Sequence, residues 1–164
     1  MIKIERKHRR KWWELTIDSE EILKNVSLDS NYREHAMEEG GEKYILMEDD
    51  LDLFHKLLHS AISELWLKIG RMSKFIPHGI KYSDDVTVLR LEVTRNHDDN
   101  MLFSFEEFIN DFLVNTVLKG WYLRNNINEE LAKCEQGAQV ALNNVITVVH
   151  YRKRPVRRPI DPLF

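Results

Sequence analysis

Residues 104–151, SFEEFINDFLVNTVLKGWYLRNNINEELAKCEQGAQVALNNVITVVHY, read as two helices joined by a turn. In the first, Phe105, Phe108, Ile109, Phe112, Thr116, Val117 and Trp121 recur at helical spacing. Ser104 with Glu107 three residues later has the form of a capping box and predicts the helix start. Asn125-Asn126 breaks it. The second helix is expected from about 128 to about 151, with Leu131, Cys134, Ala138, Ala141, Leu142, Val145, Val148 and Val149 as its apolar stripe. So short a connection predicts an antiparallel hairpin. The β-branched run VITVVHY could unwind the last turns into a strand, but helix is the expectation there.

Upstream, MEDDLDLFHKLLHSAISELWLKIGRM (47–72) carries the same signal. Leu51, Phe54, Leu58, Ala61, Ile62, Leu65, Ile69 and Met72 keep helical spacing for about six turns. Asp49, Asp50 and Asp52 stand at its start, where the helix dipole favours anions. Leu53, Leu57, Trp66 and Leu67 widen the apolar face enough to predict more than one neighbour. A short helix is expected after Asp18 or Ser19, either of which suits an N-cap before EEILKNV. The polar stretch Leu28 to Gly41 reads as loop with occasional helical turns. Gly70 to Asp85 reads as a connector. Val86–Val93, VTVLRLEV, alternates as a half-buried strand whose partner could be Ile76–Tyr82 or Ile2–Glu5. The tetrapeptide at 97–100 reads as loop.

The fold class is therefore mainly α with a minor β part. It is a single domain of 164 residues, with an N-terminal arm (1–17), a helical body (18–151) and a C-terminal arm (152–164). A chain of this size hides enough apolar surface to fold without staples. One cysteine, Cys134, excludes an internal disulfide and suits a reducing compartment. The opening residues MIKIERKHRRKWW lack the apolar core of a signal peptide, and no apolar run approaches membrane-spanning length. A cytoplasmic or cytoplasmically assembled protein, without membrane contact, is the expectation.

Charge is segregated. The chain carries net −3, yet residues 3–11 carry +5, residues 152–158 carry +5, and the remainder carries −13. Such separation favours head-to-tail association or docking of the ends on phosphate, although solvated tails have the same composition. Trp12 and Trp13 beside Arg9, Arg10 and Lys11 could stack on bases, anchor a subunit interface, or pin the N-terminal arm to the core. At the other end Arg152, Lys153, Arg154, Arg157 and Arg158 are interleaved with Pro155 and Pro159, which favour an extended arm. Trp66, on the wide face of the second helix, could meet a partner helix.

Catalytic signatures are missing. His55 and His59, four apart with Asp52 three before, have the spacing of two metal ligands, but no third cluster accompanies them and a polar helix flank explains them. Cys134 falls in an apolar stripe, as a small core residue does. The scattered glycines form no phosphate loop, and the acidic pairs Asp49-Asp50, Asp84-Asp85 and Asp98-Asp99 sit at element boundaries. No enzyme activity, cofactor or metal is expected.

Three passages resemble the small neck proteins of tailed bacteriophages, the head–tail connector or adaptor class. They are EDDLDLFHKLLHSAISELWLKI, FSFEEFINDFLVNTVLKGWYL, and the closing helix running into YRKRPVRRP. The resemblance implies a non-catalytic virion component, located in the host cytoplasm or the virion, that forms a homo-oligomeric ring beneath the portal. It implies contacts with the portal or neighbouring subunits through terminal arms, with DNA passing by as a secondary contact. The alternative is a nucleic-acid-binding or regulatory module using the same basic termini.

Overall fold

The computed structural model describes residues 2–7, 10–35, 50–72, 77–82, 86–93 and 98–150, with side chains over 13–31, 50–69, 86–89, 98 and 100–148. In chain order these form β1 (Ile2–Lys7), β2 (Arg10–Asp18), α1 (Ser19–His35), α2 (Leu51–Met72), β3 (Pro77–Tyr82), β4 (Val86–Val93), α3 (Leu102–Arg124) and α4 (Asn128–His150). Most described residues are helical, and the β part is a four-stranded antiparallel sheet of order β1-β2-β4-β3.

The helix hairpin forms as the sequence predicts. α3 and α4 are both 23 residues long, and Lys119 pairs with Glu135 across them at 3.1 Å. The turn between them is a Schellman motif: the Ile127 N–H donates to the Tyr122 carbonyl at 3.0 Å and the Asn126 N–H to the Leu123 carbonyl at 3.4 Å. Asn126 takes φ 59°, the left-handed conformation that asparagine tolerates better than most residues. The helix start differs from expectation. α3 begins at Leu102, its N-cap Met101 makes no side-chain capping bond, and Ser104 and Glu107 lie inside the helix. A single turn of 3-10 helix, Asp99–Met101, launches it, and Asp98 Oδ1 accepts the Asn100 N–H there at 3.2 Å. α4 remains helical through the β-branched run to His150.

α3 is the central element, packing against α4, α2 and α1. Its expected single stripe is too narrow. Leu113, Val114, Leu118 and Tyr122 are buried as well as Phe105, Ile109, Phe112, Val117 and Trp121, as befits a helix surrounded by neighbours. α2 runs antiparallel to α3. Leu57 meets Gly120, and Glu64 and Lys68 share a crevice with Phe112, Thr116 and Lys119.

α1 corrects the sequence reading in length. Asp18 caps it, its Oδ1 accepting the Glu20 N–H at 2.9 Å, but the helix continues through the polar stretch to His35. Its buried positions are Ile22, Val26 and Ser30. A serine at the third inward position, its hydroxyl donating to the Ser27 carbonyl at 3.0 Å, conceals the helical period.

The sheet also corrects the N-terminal arm. Residues 2–7 and 10–18 are paired strands, not an extension from the body. β4 pairs with β3, one of the two expected partners, and with β2, while β1 pairs with β2 only. Register places Trp13, Leu15 and Ile17 opposite Leu91, Leu89 and Thr87. The side chains of Trp13, Leu15, Ile17, Thr87 and Leu89 are buried, so this is the face the helices cover. Pro77 opens β3 at a sheet edge, where its missing N–H does least harm, and the register slips by one residue before Ile80.

Candidate interaction surface

Trp13 is 1% exposed, and its ring lies 5.3 Å from that of Phe105 at an interplanar angle of 59°. The expectation that Trp13 presents its ring to a partner is overturned: alternation along β2 points it to the covered face, where it closes the core. Trp66 packs partly buried against the same core. Its neighbour Leu67 is the exposed apolar residue there, 60% accessible. Arg10, Lys11 and Trp12 lie on β2, with backbone described. Arg9, Arg152, Lys153, Arg154, Arg157 and Arg158 lie outside the described residues.

The Trp13–Phe105 contact ties β2 to the first turn of α3. Lys11 is two residues from Trp13, opposite Val93 and towards the closed end of the β1–β2 hairpin. In that closed end, register sets Arg6 opposite Lys11 and Lys7 opposite Arg10. Cations directly across an antiparallel pair repel. Because α3 and α4 are equal in length and antiparallel, α4 finishes at His150 level with the start of α3. Neighbouring helices pack about 8–10 Å apart. The basic run 152–158 follows α4 in sequence and lies outside the described residues.

α2 and α4 both begin at the other end of α3, with Asp52, Glu129 and Glu130 in their first turns and Arg124 closing α3. Helix N-termini reinforce the preference for anions. Lys133 answers part of this charge: its Nζ lies 2.6 Å from Glu130 Oε1 and 3.3 Å from Glu129 Oε1. Hydrogen bonds to Glu130, then to Glu129, hold the Lys133 ammonium above its ordinary pKa.

Between their ends, α3 and α4 bound an open groove of about 520 Å³ whose lining includes Asp111, Asn115, Lys133, Gly137, Val140 and Asn144. Val140 is 53% exposed. Gly137 lets Asn115 approach closely, for a Cβ there would meet Asn115 Oδ1 at 2.5 Å. Asn115 in turn donates from Nδ2 to the Asp111 carbonyl at 2.8 Å. The Asp111 carboxyl is raised above the ordinary 3.8 by partial burial, then by Glu107, then by Asp29 on α1. Sequence reading missed this feature. Its one signal is Glu107 and Asp111 standing four apart on a helix, a like-charge spacing that costs stability.

Chain-wide comparison adds no relative. No family model, no curated protein and no solved structure matches the chain.

Among the described residues, no three of His, Cys, Asp and Glu converge as metal ligands. His55 is half-buried and His59 exposed on α2. Cys134 is fully buried. No described helix is long and apolar enough to cross a membrane.

Proposed function

We propose that this protein is a structural assembly component, of the head–tail connector type, that acts by end-to-end contacts between subunits. The observation that supports the reading is the register of the β1–β2 hairpin, which sets Arg6 opposite Lys11 and Lys7 opposite Arg10, while Asp52, Glu129 and Glu130 stand in the first turns of α2 and α4; a second basic run, 152–158, follows α4 in sequence. A body with cations at one end and anions at the other aligns with its own copies head to tail. Heterologous contacts of this kind close into rings where the rotation permits.

The test is mass against concentration at low and high ionic strength. Association that grows with concentration at low salt, weakens with salt, and disappears when residues 152–164 are removed from a still-folded chain is the expected result. A chain that stays monomeric in concentrated low-salt solution, or that associates equally well without residues 152–164, overturns the reading. Tight, strongly salt-dependent binding of duplex DNA by the monomer would favour the nucleic-acid alternative instead.

A further inference from the structure

We propose that the outer edge of β1 takes up the β1 strand of a second copy of this chain, antiparallel and about a two-fold axis. The inference does not rest on the end-to-end reading above, because it concerns another surface and a symmetric contact.

The sheet has two edges, and they are unlike. β3 opens on Pro77 and its register slips before Ile80. Proline and bulges are devices that keep an edge from accepting another strand. β1 has neither. Its six residues keep one unbroken register with β2, from Ile2 opposite Leu15 to Lys7 opposite Arg10. Among the described residues β2 is its one strand partner. Along such an edge, alternate residues turn their amides and carbonyls away from the sheet. The helices meet the sheet at β2, one strand inward, through α1 and through Phe105 on Trp13.

Charge and register select the occupant. Ile2 and Ile4 stand opposite Leu15 and Trp13, on the face that the helices cover, and Lys3, Glu5 and Lys7 take the other face. A two-fold axis normal to the sheet keeps the helices of both copies on one side. It therefore opposes even-numbered residues to even and odd to odd. Centring the axis on Lys3, Glu5 or Arg6 sets a charged residue against its own copy. Centring it on Ile4 sets Lys3 opposite the partner's Glu5, and Glu5 opposite the partner's Lys3. Ile4 then lies on the axis, and Ile2 falls opposite the partner's Arg6. Edge charges that discourage other strands thus match this one. Five residues from each chain are few beside the roughly 20–30 a side of a stable interface. The pair is accordingly weak, and is read by trapping it.

The experiment uses the full-length chain with Cys134→Ala and either Ile4→Cys or Ile2→Cys, in a glutathione redox buffer. In the proposed register two copies of position 4 have Cα atoms about 4.5–5.5 Å apart, within disulfide reach. Two copies of position 2 are four residues out of step, about 14 Å apart, beyond it. The folded Ile4→Cys chain should link roughly tenfold more than the Ile2→Cys chain. Equal linking of the two, or no linking of the folded Ile4→Cys chain, overturns the proposal. A second measurement mixes Ile4→Cys with Glu5→Lys and 15N-labelled Ile4→Cys with Lys3→Glu. Across the axis only the mixed pair sets unlike charges together. Mixed disulfides should exceed the two same-type products combined by about threefold. A statistical mixture, in which they equal them, overturns the register. Linking should persist when residues 152–164 are removed, so this contact and the end-to-end one fail separately. Linking that vanishes with that segment overturns the proposal.

Discussion

Trp13 and Phe105 are ninety-two residues apart in sequence and 5.3 Å apart between ring centres. The contact joins the sheet to α3. Truncation at Trp13 leaves a cavity between the two layers. Trp13→Ala should lower unfolding free energy by about 3–5 kcal/mol, measured by denaturant titration. A loss below about 1 kcal/mol would mean that the hairpin is not seated on α3.

The hairpin charges give the opposite sign. Arg6 is the register partner of Lys11, so Lys11→Glu sets an acid across from a cation. Stability should rise by about 0.2–1 kcal/mol, while low-salt association falls. Parallel gains in both would contradict the proposed role of the cationic hairpin.

Asp111 supplies a pH signature. Its native pKa is raised, by burial first and by Glu107 and Asp29 next, so the native state binds its proton more tightly than the unfolded chain does. Stability is therefore not penalised below the ordinary value of 3.8. The penalty develops as pH climbs from there through the raised native value, and is complete above it. Asp111→Asn should remove that slope and slightly stabilise the protein at neutral pH. The side chain is exposed, so screening keeps the gain small and added salt should shrink it further.

Gly137 tests the close approach to Asn115. Alanine in a helix interior is better than glycine by about 1 kcal/mol, yet the new Cβ would lie 2.5 Å from Asn115 Oδ1. Gly137→Ala should therefore stabilise the chain by about 1 kcal/mol only in an Asn115→Ala background. Equal effects in both backgrounds, in a double-mutant cycle of melting curves, would show that the contact is absent.

Cys134 is fully buried between α4 and its neighbours. A thiol reagent should react with it no faster than the bundle opens, and mild denaturant should accelerate labelling. Fast labelling of the native chain would place α4 differently.

What the sequence reveals depends on which force leaves a local mark. Phe105, Ile109 and Phe112 repeat at helical spacing, so α3 and its hairpin with α4 were readable. α1 was legible only to Val26, because Ser30 fills the next inward position without adding apolar signal. The start of α3 was misplaced because Asp98 and a 3-10 turn do the work that Ser104 and Glu107 advertise. Trp13 alternates with Leu15 and Ile17 exactly as a covered strand requires, but the adjacent cations made the same stretch look like an arm. The Asp111 groove is tertiary, and Asp29 comes near Asp111 only once α1 has docked on α3.

The pairing of β2 with β4 also constrains the order of events during synthesis. Trp13 must find the strand containing Leu91 across a span of 78 residues, and its ring is covered only when Phe105 follows. A ribosome-bound chain thus carries an uncapped aromatic ribbon until α3 has emerged, and long-range pairings of this kind form slowly. Translation pauses placed before residue 102 would lengthen that vulnerable interval, exposing the nascent polypeptide to chaperones and to misassociation with other unfinished chains.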